Sequence, residues 1–314
     1  MKQIKRYPLQ QSVLYKCTTK KKLATLLGTE TRVLLDPKLV SYRSWKLPKK
    51  DGGLRPVNDP SAQLKRIQRR LYRLLSPCVR PSWVVGGERG KSHVDNGRTH
   101  QNSKYVLLKD IKKFYDHCTR ESVYQFFRQE LKVAPDVAEI LANLTAVDGT
   151  LLQGFPTSLI LAYYAYQTMF QEIFELAQRH GCEFTLFVDD MTFSSEKPFD
   201  HSTLSYDVNR ILKKYGHSSK VGKTRYLGAN KAKRITGVIV TSDSQLAIPN
   251  KLHQEISKSF RQLKIWNNDQ LLLDDGAFEK LRNRTLGQIN SVQSIEPNKF
   301  DGMKQAITNM KKGA

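Results

Sequence analysis

No uninterrupted apolar run of about 18 residues occurs in the sequence, which argues against a membrane-spanning helix. The first ten residues carry Lys2, Lys5 and Arg6 with no apolar segment behind them, so they read neither as a span nor as a signal peptide. Cysteine is scarce. Cys17, Cys78, Cys118 and Cys182 lie far apart, with no C-x-x-C pair and no histidine at zinc-ligand spacing, which argues against a disulfide framework or a zinc module. Internal repeats and low-complexity tracts are missing as well. Acidic residues are few relative to basic ones: 29 Asp and Glu stand against 52 Lys and Arg, a net charge of +23 in 314 residues. An excess of that size, spread along the whole chain, favours a polyanionic partner, and nucleic acid fits better than a membrane surface. The expected location is the cytoplasm, with no membrane partner.

Hydrophobic periodicity marks the main elements. Asp59-Pro60 reads as a helix start, followed by Leu64, Ile67, Leu71, Leu74 and Leu75 at helical spacing. Lys65, Arg66, Arg69, Arg70 and Arg73 occupy the other faces without an acidic residue among them, a pattern suited to phosphate contact. Tyr105 to Ile111 reads as a mostly buried strand with Asp110 near its end, and Thr119 as the cap of a following helix. Pro135 to Val147 predicts another helix, and an apolar helix is expected from Ser158 to about Arg179. Two β-prone runs flank Asp189-Asp190, which predicts a tight hairpin with two acids at its tip. Arg234 to Thr241 reads as one strand and Leu252 to Trp266 as a helix. The mixed order predicts an α+β architecture.

Asp110 and the Asp189-Asp190 pair can meet if their strands are neighbours in one sheet. Three clustered carboxylates repel unless cations compensate them, and hard oxygen ligands beside substrate phosphates suit Mg²⁺. Two such ions about 3.5–4 Å apart serve phosphoryl transfer. Taken singly, each acid reads equally well as a turn residue.

The surrounding segments resemble the motifs of reverse transcriptases, in order, across roughly residues 42–260. Lys109-Asp110-Ile111-Lys112-Lys113-Phe114-Tyr115 resembles the first palm motif, and Gln153-Gly154-Phe155-Pro156-Thr157-Ser158 the Q-G-x-P-x-S segment. Phe187-Val188-Asp189-Asp190 matches the aromatic-x-Asp-Asp hairpin, Lys223-Thr224 the basic fourth motif, and Gly53 to Val57 with Pro60, Leu64 and Lys65 the fingers segment. Within that superfamily the chain is most similar to bacterial retron enzymes. Asn96-Gly97-Arg98-Thr99-His100 resembles their N-A-x-x-H segment, and Ile235-Thr236-Gly237 their V-T-G segment. The hairpin departs from the usual Y-A-D-D by carrying Phe187 and Val188.

This resemblance implies a right-hand polymerase with fingers, palm and a small helical thumb. The expected division is a basic helical extension over 1–41, fingers over 42–104 with part of 120–150, palm over 105–244 and an RNA-binding thumb over 245–314. Asp110, Asp189 and Asp190 are expected to hold two Mg²⁺ ions, with Mn²⁺ as a substitute. Arg55, Lys65, Tyr115, Gln153, Gly154 and Lys223 are the expected nucleotide-binding residues, and Asn96, His100, Arg69, Arg70, Lys251, Lys258 and Arg261 the expected RNA contacts. A hydrogen-bonded Asn96 and His100 fixing a local turn is an equally open reading. The implied reaction copies a structured noncoding RNA, which serves as template and primer, from dNTPs into branched multicopy DNA. Host ribonuclease H acts on the product, and effector proteins of a defence operon act against phage. Competing readings are another defence-associated or group II intron-like reverse transcriptase, and a catalytically silent RNA-binding scaffold.

Overall fold

The computed structural model describes residues 6–48, 52–268 and 275–310. Contacts divide the chain into two compact units: Met1–Gly90, Leu108–Phe193 and Phe199–Thr224 form the first, and Lys91–Leu107, Ser194–Pro198 and Arg225–Ala314 the second. Among the described residues no helix is long and apolar enough to cross a membrane. All four cysteines are free and buried.

The chain opens with helices α1 (Lys20–Leu27) and α2 (Thr31–Leu34), then an antiparallel ribbon of β1 (Tyr42–Pro48) and β2 (Leu54–Pro60). Helix α3 (Ala62–Leu75) follows, then α4 (His93–Thr99) and strand β3 (Tyr105–Asp110). Next come α5 (Arg120–Gln125), α6 (Pro135–Thr145), the short pair β4 (Ala146–Val147) and β5 (Thr150–Leu151), α7 (Ser158–Ala165) and α8 (Gln167–Arg179). The acid-bearing hairpin is β6 (Glu183–Phe187) and β7 (Asp190–Ser195), followed by α9 (His201–Lys214) and β8 (Arg225–Leu227). Strands β9 (Lys233–Ile235), β10 (Val238–Val240) and β11 (Leu246–Ala247) lead to α10 (Asn250–Asn268), α11 (Asp275–Gln293) and α12 (Asp301–Asn309). The largest sheet has the order β6-β7-β3-β8, so β3 and β7, 80 positions apart at Asp110 and Asp190, lie side by side.

Four sequence expectations are corrected. Asp59-Pro60 does not start a helix. Both residues close β2, and Ser61 caps α3 by accepting from Leu64 N, because its short hydroxyl reaches the open helix end. The stretch 234–241 is two strands, β9 and β10, turned by Thr236 at φ 46° and Gly237 at φ 98°. The helix expected through Arg179 breaks at Tyr166, whose φ of −125° lies outside the helical region. The helix expected to Val147 ends at Thr145, and Ala146-Val147 pair with Thr150-Leu151 around the Asp148-Gly149 turn.

In the first unit, α3 buries Leu64, Ile67, Leu71 and Leu75. Each such side chain contributes about 1.5–3 kcal/mol, which fixes the helix firmly enough to present its cations outward. In the second unit, α10 to α12 form their own core around Ile256, Leu263, Phe278, Ile289, Val292 and Ile307. Also within that unit, Asn96 Nδ2 donates to Thr236 Oγ1 at 3.2 Å, and Thr236 Oγ1 donates to His93 O at 3.2 Å. The N-G-x-x-H and I-T-G segments are thus two halves of one packing contact.

Candidate active site

Asp110 ends β3 as a buried residue. Its carbonyl accepts from Lys220 N at 2.8 Å, and the next amide, Ile111 N, donates to Asp189 O at 3.0 Å. The strand end is therefore stitched directly to the hairpin tip. That tip is the Val188-Asp189 turn, with Val188 at φ 64°, a left-handed conformation that β-branched residues rarely adopt. Asp190 begins β7.

The three acids act on one another electrostatically, as neighbouring carboxylates do. Burial, then the Asp110 charge, raises Asp189 above the usual carboxylate range, with Lys223 and Arg55 opposing the rise. Burial pushes Asp190 up to about 7, and the charges of Asp189 and Asp110 add to it. Lys223 forms an ion pair with Asp110. Burial disfavours the Lys223 charge, but its hydrogen bond to Asp110 and the nearby acids outweigh that, and its pKa rises.

Among the described residues no group of three or more His, Cys, Asp or Glu forms a ready-made metal cage. The donor set nevertheless fits a divalent ion: hard oxygens, half or more out of water, repelling one another and already drawing one ammonium. Mg²⁺ characteristically takes one or two carboxylates and completes its shell with water and substrate phosphates.

A pH dependence follows. A carboxyl whose pKa is higher in the folded than in the unfolded chain binds its proton more tightly when folded. That contribution is complete below about pH 4, the unfolded value, and is lost as pH rises through about 7. Without divalent ions, Asp190→Asn should therefore be more stable than the parent, and the difference should grow between pH 5 and 8. Each pKa unit is worth at most about 1.4 kcal/mol. Chemical denaturation in EDTA across that range checks it, and a pH-independent difference would exclude Asp190 as the cause.

The other expected nucleotide-binding residues have distinct settings. Tyr115 lies on a short 3₁₀ turn, Phe114–His117, whose Phe114 is buried against Tyr166, Phe170 and His217. Burial raises the Tyr115 pKa well above its usual value, and the Asp189 charge adds to it, so the ring stands beside the acids. Arg55 is exposed on β2 and its charge is felt at Asp189. Lys65 pairs with Asp59. Asn58 donates to Gln153 O through N and Nδ2, both at 3.1 Å, and Gly154, at φ 110°, has the Asn58 carbonyl where a Cβ would stand. Glycine is required there twice over, by conformation and by space.

The RNA-contact expectations divide. Arg69 is exposed in a cleft beside β1 and β2. Arg70 does not line that cleft, and its Nε donates to Leu26 O at 2.9 Å. Lys251, Lys258 and Arg261 are exposed on α10. Asn96 and His100 are corrected: both are fully buried, with His100 Nδ1 2.6 Å from Ser194 Oγ, so direct RNA contact is replaced by a packing role. Burial also lowers the His100 pKa to about 3, which keeps the ring neutral.

One feature of the site escaped sequence reasoning. Leu186 N donates to Trp83 O at 2.9 Å, and Val85 N and Gly86 N donate to Leu186 O at 2.9 and 3.1 Å. The 83–87 segment thus flanks the acid hairpin, and Gly86 presses on it: a Cβ there would collide with Val188 N and stand 2.9 Å from Phe187 Cα. The same loop is clamped by a buried pair, with Arg80 reaching Glu88 at 2.7 Å and Gly87 O at 2.8 Å, while Arg6 also pairs with Glu88. The Gly86-Gly87 doublet was the available signal, but adjacent glycines alone suggest only a turn.

Known proteins resemble this chain in sequence and in fold. Retron Ec48 reverse transcriptase of Escherichia coli is 26% identical over 317 residues, covering 94% of this chain and 76% of that protein. Retron Ec86 reverse transcriptase of the same species is 24% identical over 237 residues, covering 74% and 73%. Among solved structures, apo telomerase from Candida tropicalis aligns at a TM-score of 0.55 with 14% identity, over 88% of this chain and 60% of that one. Telomerase from Candida albicans in complex with a TWJ fragment of telomeric RNA aligns at 0.51 with 13% identity, over 90% and 57%. The chain thus spans less than two thirds of those telomerase chains, and the likeness shows the right-hand polymerase fold, mixed α and β as the sequence predicts. The family model described as "Reverse transcriptase (RNA-dependent DNA polymerase)" matches residues 47–240, and such enzymes generally use divalent metal ions. With more than half of its length matched, the chain belongs to the reverse transcriptase family of RNA-directed DNA polymerases, and it is similar to the retron members of that family.

Proposed function

We propose that this is a retron-type reverse transcriptase that copies a structured noncoding RNA into branched multicopy single-stranded DNA in the cytoplasm. The observation that carries the reading is the meeting of Asp110, Asp189 and Asp190 in one half-desolvated cluster with Lys223. Asp110 and Asp189 would be the main ligands of two Mg²⁺ ions, with Asp190 in support. Held there, such ions would supply activation of the attacking hydroxyl and neutralisation of charge on the departing pyrophosphate. Lys223, freed from Asp110, neutralises or protonates that leaving group. Arg55 and Lys65 hold the triphosphate, Arg by a bidentate fork and Lys as a point charge. Gln153 and Gly154 let the backbone approach template and nucleotide.

The fingers, palm and thumb follow the boundaries given by the motifs, and the exposed cations of α10 grip duplex or cognate RNA. Ribonuclease H of the host trims the product, and effector proteins encoded alongside act against phage. The purified protein should extend a primer on an RNA template only with Mg²⁺ or Mn²⁺, and its copurifying nucleic acid should contain a 2′–5′ branch. Product that ignores the template sequence would refute RNA-templated synthesis, absence of any extension would refute the polymerase reading, and templated synthesis without a branch would refute only the retron assignment.

On this reading Tyr115 excludes ribonucleotides, since its ring would crowd a 2′-hydroxyl; its nearness to Asp189 supports the role. Tyr115→Ala should raise incorporation of ribonucleotides relative to deoxyribonucleotides by about tenfold or more, a difference of about 1.4 kcal/mol between the two transition states. Competing single-nucleotide additions measure this ratio, and an unchanged preference removes Tyr115 from the role.

A further inference from the structure

Lys223 stands at the end of a short turn that the acid-bearing strand itself holds in place. Lys112 N donates to Ser218 O and Lys220 N to Asp110 O, both at 2.8 Å, and Ile111 forms a bridge with Ser219. Lys223 N then donates to Lys220 O at 2.9 Å, which closes the 3₁₀ turn Val221–Lys223. Residues 110 to 112 are thus paired with the segment that carries Lys223, and its backbone is fixed relative to Asp110. The Lys223 ammonium pairs with Asp110 Oδ2. The other acids crowd the same residue: a hydrogen bond joins Asp190 to Asp110, and the Asp110 charge is felt at Asp189. We propose that Lys223 is a tethered cation that takes the place of a divalent ion at Asp110 and must let go before the acids load metal. This rests on the polymerase reading only for what the metal then does; the competition itself needs no more than the acid cluster.

Two observations support displacement over a permanent structural pair. The Lys223 side chain is 52% exposed, whereas that of Asp110 is 7% exposed. A half-exposed ammonium holds its partner weakly, because water and salt screen the pair, and it has solvent to swing into. The buried carboxylate has no such freedom, so a cation that takes the site moves Lys223 rather than Asp110. Secondly, one ammonium does not satisfy three carboxylates: Asp189 and Asp190 stay raised above the usual range although Lys223 opposes the rise at both. A dication brings twice the charge and a preference for hard oxygens. Ammonium and dication repel each other at contact distances, so they do not share Asp110 without cost. The consequence is a link between metal and substrate. A triphosphate offers the released ammonium a new anion while its own oxygens complete the metal shell, so the cluster loads more readily with a nucleotide than alone.

The test is Mn²⁺ binding by the full chain without nucleotide, after copurifying nucleic acid has been removed, read from the electron paramagnetic resonance signal of the free ion. Lys223→Gln should bind Mn²⁺ about tenfold more tightly than the parent, an ordinary size for coupling between two ligands of one site. Lys220→Gln is the control. Lys220 is exposed and precedes the same turn, so its loss removes the same charge nearby without breaking the pair and should change the affinity much less. Adding Asp189→Asn and Asp190→Asn to Lys223→Gln should abolish the tighter site, which locates it at the acids. A second readout is acetylation of the parent protein by acetic anhydride, resolved by mass spectrometry, in which Mg²⁺ should raise labelling of Lys223 relative to Lys220. Equal Mn²⁺ affinities in the Lys223 and Lys220 variants, a tight site that survives loss of the two acids, or Lys223 labelling unmoved by saturating Mg²⁺ overturns the proposal. Failure of the polymerase reading shows separately, as a parent protein in which Lys223 governs metal binding but which never extends a primer.

Discussion

Replacing Asp189 and Asp190 together by Asn is expected to reduce primer extension by at least about three orders of magnitude, the scale on which losing preorganised charge stabilisation is felt in phosphoryl transfer. Asn keeps the shape of Asp but removes the charge that the cluster needs to hold cations. The folded state should not suffer. Both acids are raised by burial, and each is raised further by a neighbouring carboxylate, so neutralising them relieves repulsion. RNA binding should persist, because carboxylates repel phosphate and the exposed cations of α3 and α10 remain. The measurements are single-turnover extension, thermal unfolding and RNA affinity on the same preparation. Extension at the parental rate by a well-folded double variant would sink the two-metal reading.

Gly86→Ala should lower the extension rate by about ten- to a hundredfold while leaving most of the protein folded. The added methyl would meet backbone, at Val188 N and at Phe187, rather than the flexible end of a side chain. Backbone cannot swing aside as a rotamer does, so the hairpin shifts by some tenths of an ångström or the 83–87 loop detaches. Catalytic groups misplaced on that scale cost rates out of proportion to the movement. The expected signature is a fall in kcat with a higher Mg²⁺ requirement and little change in RNA affinity. Gly28→Ala provides the control: Gly28 closes α1 at φ 67° with open space around it, so alanine there strains the backbone without touching the site. If both variants lose activity only in proportion to lost stability, Gly86 has no positioning role.

The clamp behind Gly86 explains why this loop can press on the hairpin. Arg80 and Glu88 are both buried, and a buried pair fixes geometry more surely than it adds stability. Arg6 joins Glu88 from the start of the described chain, and Tyr7 bonds with Pro77 and Val79 on the same stretch. The loop is thus held from two directions before it reaches Leu186.

Local chemistry in the sequence determined the acid hairpin, because β-prone runs on both sides of two short polar residues leave few alternatives to a tight turn. It determined the amphipathic cationic α3 through helical spacing, and the reverse transcriptase family through several motifs in order. Boundaries were less secure: Asp59-Pro60 has the form of a helix start, yet the seven-residue register of the ribbon claimed both residues for β2. Only tertiary structure decided that Asp110 reaches Asp189, that Asn96 and His100 turn inward, that Arg70 leaves the cleft and that Gly86 touches the hairpin. Those outcomes depend on which surfaces pack together, and a contact between residues tens of positions apart leaves no periodic trace in the chain.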